Sequence, residues 1–151
     1  MVEIKEVLFC TDFSENAKVA LSYAIELCKR FEARLHLIHV YQEPGDMPPF
    51  EIPSQTKMDW VRVVRNIGLE TEKKLRALGD QVAQELPACR FSLRHGKPYL
   101  EIIRYAKENR VDLIVMASHG LSGWEQALFG STTDRVLRES PCPVLVVRKT
   151  G

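Results

Sequence analysis

The chain has 151 residues, enough to bury about 70% of the surface its unfolded form would expose and so to build one core. Apolar residues make up 45% and charged residues 27%, with eight glycines and eight prolines, which excludes collagen-like, low-complexity and wholly disordered chains. With 21 basic against 20 acidic residues the formal charge is +1, so no strong field holds a polyanion, and neither nucleic acid nor an acidic membrane surface is an expected partner.

No apolar run approaches the ~18 residues that would cross a bilayer, and Met1 to Glu6 carries charge where a secretory signal needs its apolar segment. A cytoplasmic location is expected. Cys10, Cys28, Cys89 and Cys142 form no CxxC pair, and three of them sit in or beside apolar runs, as buried reduced thiols do. His36, His39, His95 and His119 have no metal-ligand spacing, so no residue is assigned to a metal site.

Val7 to Cys10 is a short apolar run closed by Thr11-Asp12, the pattern of a strand buried on both faces. After Ser14, a helix cap, Ala17, Ala20, Leu21, Ala24, Ile25 and Cys28 gather on one helical face. Leu35 to Val40 is a second strand, interrupted by His36 and His39, and feeds a proline-rich stretch from Gln42 to Thr56 that reads equally as a lid or a loose insertion. From Met58 to Leu86 the apolar spacing predicts a long helix, locally weakened by Gly68 and Gly79. Cys89 to Arg94 is a weaker strand, and Pro98 opens a further helix through Ala106. Val111 to Ala117 and Pro143 to Val147 are strands, with a last helix between them.

Strands alternating with helices predict one domain over 1–151, an α/β open five-stranded parallel sheet with helices on both faces. Such sheets place ligands beyond the carboxyl ends of their strands, where the strand order reverses. Between the fourth strand and the last helix lie Ala117-Ser118-His119-Gly120-Leu121-Ser122-Gly123 and Gly130-Ser131-Thr132-Thr133-Asp134. Glycine lets backbone amides approach a ligand, and a helix that opens Gly-Ser-Thr-Thr offers unpaired amides and a positive dipole end suited to phosphate. The competing readings are structural: Ser131 with Asp134 forms a capping box, Asp12 caps the first helix with Ser14, and Gly120 and Gly123 shape a turn. His119 either touches a phosphate or faces water; Trp124 and Phe129 read as loop anchors or partner contacts sooner than base-stacking groups, and Arg135 and Arg138 as a solvated face. Neither GxxxxGK[ST] nor GxGxxG is present.

With that element order, these residues resemble the universal stress protein family, whose ATP-binding members carry Gly, two residues, Gly, nine residues, then Gly with Ser or Thr. Gly120, the nine residues Leu121 to Phe129, and Gly130-Ser131 reproduce the second part of that motif. Val7 to Ser14 looks like the family's first strand with its terminal aspartate, and Ser140 to Val147 like its ending, so the likeness spans the chain. Ala117 stands where the family has its first glycine, which keeps the amide and adds a methyl group. The resemblance implies a Rossmann-like fold of the adenine nucleotide alpha hydrolase-like group. It implies contacts to the nucleoside from Asp12, Val40, Met116 and Ala117 and to the phosphates from Gly120, Gly130, Ser131 and Thr132, with Thr11 and His119 as further candidate nucleotide-binding residues. It further implies ATP, or AMP or ADP, with Mg2+ or Mn2+ carried by the phosphates, and a homodimer joined along Val144, Leu145, Val146 and Val147.

The function so implied is a nucleotide-sensing stress-response module with little or no hydrolysis. One alternative is an adenine-nucleotide hydrolysing or adenylating enzyme of the same fold, against which stands the absence of an SGGxDS loop after the first strand. The other is a dimeric scaffold that has lost the ligand, for which Ala117 is the hint. No catalytic residue is assigned, because no nucleophile–base set accompanies the glycine segment.

Overall fold

The computed structural model describes residues 1–42, 57–119 and 129–149, with the side chains of 57–61 and 64 left aside. The proline-rich stretch therefore lies almost wholly outside the described residues, as do Gly120, Gly123 and Trp124. Five strands and four helices alternate among the described residues: β1 (Glu6–Cys10), α1 (Glu15–Phe31), β2 (Arg34–Tyr41), α2 (Lys57–Ala83), β3 (Arg90–His95), α3 (Pro98–Glu108), β4 (Leu113–Ala117), α4 (Ser131–Glu139) and β5 (Val144–Val147). All pairings are parallel and the strand order is β3-β2-β1-β4-β5, as the alternation requires. The direction of winding reverses between β1 and β4, and β3 and β5 form the edges.

Side-chain parity divides the core. Val7, Phe9, Leu35, Leu37, Val115 and Val147 face α1 and α2, packing on Ala20, Ala24, Cys28, Leu75 and Val82. Leu8, Ile38, Ile114 and Met116 face α3 and α4, packing on Ile102, Tyr105, Ala106 and Val136. Helices on both faces explain why β1 and β4 read as unbroken apolar runs: neither parity is left to water.

Several boundaries differ from the sequence reading for local reasons. α2 ends at Ala83, and Glu85 and Leu86 wind into turns by donating to the Val82 carbonyl. Val111 is buried against α3 and precedes β4, because the Asp112 carboxylate turns aside to accept the backbone N–H groups of Lys5 and Glu6 at 2.8 and 2.9 Å. Pro143 precedes β5, contributing only its carbonyl, which accepts from Ile114 at 3.0 Å. α2 runs unbroken through both glycines, and at Gly79 the reason is contact: a Cβ there would lie 2.9 Å from a Phe91 ring carbon of β3.

Candidate functional site

β1 ends at Cys10, and the chain reaches α1 through Thr11, Asp12 and Phe13. Thr11 is held by β2 on both sides: its N–H donates to the Ile38 carbonyl at 3.0 Å, and its own carbonyl accepts from His39 Nδ1 at 2.6 Å. Ser14 is the N-cap of α1, its hydroxyl accepting from the Ala17 amide, while Asp12 Oδ1 accepts from the Ser14 amide at 3.0 Å. Asp12 thus supports the cap through a turn that starts two residues before it, and this leaves Asp12 at the mouth of the strand end.

On the other side of the switch point, two hydrogen bonds tie the start of α4 to the end of β4. The Gly130 amide donates to the Ser118 carbonyl at 2.8 Å, and the buried Thr133 hydroxyl donates to the Ala117 carbonyl at 2.9 Å. The capping box expected of Ser131 and Asp134 does not form. The N-cap is Gly130, without a side-chain cap bond, and Asp134 pairs with Arg138 at 3.0 Å. Among the described residues no acceptor is bonded to the amides of Ser131, Thr132 or Thr133, so the first turn of α4 presents its donors and its positive end outward. Gly130 has φ −64 and ψ 159, a conformation open to any residue, so its missing side chain provides space, not backbone freedom.

Between these two ends lies a cleft enclosing about 190 Å³. Every predicted site residue among the described ones lines it: Thr11, Asp12 and Val40 on one side, Met116, Ala117 and His119 on another, and Gly130, Ser131 and Thr132 at the helix end. Gly120 falls outside the described residues. Ala117 is not at positive φ, so its backbone places no demand for the glycine it replaces. The His119 carbonyl accepts from Asn16 Nδ2 of α1 at 3.2 Å, and its Nδ1 lies 3.2 Å from the Ser118 hydroxyl.

The sequence reading missed the apolar wall. Cys10, Ile38, Pro98 and Ile102 line the cleft with Met116, and α3 carries two of these. Ile38 and Met116 share the parity that faces α3, the one signal from which Ile102 was predictable. Burial, with Cys142 nearby as a smaller cause, pushes the Cys10 thiol far up, so it is a neutral, unreactive part of that wall. Burial likewise raises Cys28 to about 12 and Cys89 to about 11, and all four cysteines are free thiols. No lysine or arginine lines the cleft among the described residues, and these hold no group of three or more His, Cys, Asp or Glu able to cage a metal ion. No helix among them is long and apolar enough to cross a membrane. Arg135 and Arg138 form the outer face of α4, Arg135 reaching Glu139 at 3.1 Å and the Tyr99 hydroxyl at 2.9 Å.

Comparison with known proteins agrees with this architecture. The model of the universal stress protein family matches residues 3–148. Universal stress protein MJ0531 of Methanocaldococcus jannaschii is 31% identical over 147 residues, covering 96% of this chain and 82% of that protein. The solved universal stress protein UspA from Lactobacillus plantarum superposes with a TM-score of 0.82 over 98% of this chain and all of that one, at 24% identity. Two further structures of the same fold are a universal stress protein in complex with cAMP, at TM-score 0.67 and 20% identity, and one from Archaeoglobus fulgidus in complex with dAMP, at 0.64 and 18%.

Proposed function

Because the chain belongs to the universal stress protein family, we propose that it is a nucleotide-binding module whose cleft at the switch point receives an adenine nucleotide. The observation that carries this reading is the open first turn of α4: Gly130 at the cap with no side-chain bond, and the amides of Ser131 to Thr133 without a protein acceptor among the described residues. Those donors and the helix dipole suit phosphate oxygens. The wall of Cys10, Ile38, Ile102 and Met116 suits a flat apolar base, and the Asp12 carboxylate at the strand end suits ribose hydroxyls. The proteins of this fold solved with cAMP and dAMP support the choice of adenine nucleotides.

ATP is the expected ligand, with AMP and ADP as its shorter forms. With no lysine or arginine at the cleft among the described residues, the phosphate charge is met by amides and by Mg2+ or Mn2+ carried on the phosphates, near the Ser131 and Thr132 hydroxyls. Tight cradling without a positioned base holds the ground state and offers little to a hydrolytic transition state, so phosphate release is slow. The protein senses a nucleotide more than it consumes one. A second copy pairs along the edge strand β5, whose Leu145 is 36% exposed.

The test is calorimetric titration with ATP, ADP, AMP and GTP in the presence of magnesium, on the native protein and on Ser131→Asp. An acidic residue in the first turn favours the helix while repelling phosphate, so folding and binding separate. We expect ATP affinity to fall about tenfold or more, equal to about 1.4 kcal/mol, with melting temperature kept. Unchanged affinity in Ser131→Asp, or a native protein that binds no nucleotide, defeats the proposal.

A further inference from the structure

Resting on that nucleotide reading, we propose that His39 is the positioning residue of the loop that presents Asp12 to the cleft, acting from the opposite face of the sheet. His39 itself does not line the cleft, whereas its neighbours Ile38 and Val40, of opposite parity, do. Its ring instead lies on the side of α1 and α2 and grips the two residues that flank Asp12. Toward Thr11 the grip is a hydrogen bond: a carbonyl oxygen only accepts, so Nδ1 carries the proton and donates over 2.6 Å. Toward Phe13 the grip is a ring contact, with centroids 4.6 Å apart and planes tilted by 44°.

Phe13 needs such support. Its φ of 63 is a left-handed conformation that a bulky residue adopts only when its surroundings hold it. Lys74 of α2 adds a second hold, its Nζ lying 6.0 Å from the Phe13 ring centre. Inside the loop, the Phe13 amide donates to Thr11 Oγ1 and the Ser14 amide to Asp12 Oδ1, each at 3.0 Å. These two bonds depend on Thr11 and Phe13 keeping their places, and His39 contacts both, one by a hydrogen bond and the other by a ring contact. It thereby fixes the approach of the Asp12 carboxylate without meeting the ligand.

The experiment compares His39→Leu, His39→Gln and His39→Asn with the native protein. Asparagine places an N–H at the position of Nδ1, glutamine one bond further out, and leucine nowhere. Two quantities are read: hydrogen exchange of the Phe13 and Ser14 amides without ligand, and the dissociation constant for ATP with magnesium. His39→Leu and His39→Gln are expected to lose protection at both amides and to weaken ATP binding about tenfold, the scale of one misplaced buried hydrogen bond. His39→Asn is expected to retain protection and bind within about threefold of native, the residual reflecting the lost ring contact. Full protection in His39→Gln, or equal loss in the Asn and Gln variants, overturns the proposal. If the native protein binds no nucleotide, the ligand reading fails, and the exchange of the two amides still decides whether His39 holds the loop.

Discussion

Two histidines, His36 and His39, sit three residues apart on β2 and face opposite interiors. His36 is 2% exposed, its Nδ1 2.8 Å from the Tyr105 hydroxyl and its Nε2 2.5 Å from the Glu6 carboxylate, so it is a satisfied core group. In the sequence both residues are merely polar breaks in an apolar run, because their partners lie far along the chain and only the folded sheet brings them near. The left-handed Phe13 is equally illegible, since nothing in Thr-Asp-Phe-Ser marks a residue that usually avoids positive φ. Burial lowers the pKa of His39, opposed by the Thr11 carbonyl and Asp12 and assisted by Lys74. In the unfolded chain the same imidazole titrates near its ordinary 6.5. The unfolded state therefore takes up the proton first, and the stability tied to neutral His39 is complete above that pH and lost as pH falls below it. Urea unfolding at pH 7.5 and pH 5 is expected to show a larger acid loss in the native protein than in His39→Asn; equal losses would count against this assignment.

At the scale of elements, the long apolar runs and helical spacings were readable because each strand and helix has a layer to pack on. The ends were not, since Asp112 and Pro143 settle them by bonds to distant partners. The glycines of α2 show the same split. Both lie inside a helix, and propensity alone values their replacement by alanine at about 0.5 to 1 kcal/mol. At Gly68 a new Cβ would meet, among the described residues, the end of the Tyr41 ring, its hydroxyl at 3.5 Å and the adjoining carbon at 3.9 Å, both ordinary contacts, so Gly68→Ala is expected to stabilise by about that amount. At Gly79 the Phe91 ring stands 2.9 Å away and must move, with Arg76 lying 5.7 Å from its centre. Gly79→Ala is expected to gain less or to lose, and thermal melting of the two variants side by side reads the difference. The start of α4 reverses the case: Ser131 and Asp134 have the right spacing for a capping box, yet the cap is Gly130, because Thr133 binds back to β4 and sets where the helix begins.

For the whole molecule, the alternation of elements determined a parallel sheet, and the reversal of strand order between β1 and β4 located the cleft. What composition could not foretell was the apolar wall from α3, since Pro98 and Ile102 come from an element that carries no glycine motif. The same topology leaves β5 at an edge, with Leu145 exposed on it and Leu137 exposed on α4. Light scattering is expected to give a dimer at micromolar concentration, and Leu145→Lys to shift it toward monomer; a native chain that scatters as a monomer removes this interface.

The parity of the strands has a wider effect. Odd-numbered side chains of β1 and β2 belong to one interior and even-numbered ones to another, with only peptide planes between. The two clusters are separate, so penalties of substitutions in one interior and in the other are expected to sum, whereas substitutions within the cleft-facing layer couple through shared neighbours. The peptide of Thr11, gripped from behind by an imidazole, is the narrow place where that independence breaks down.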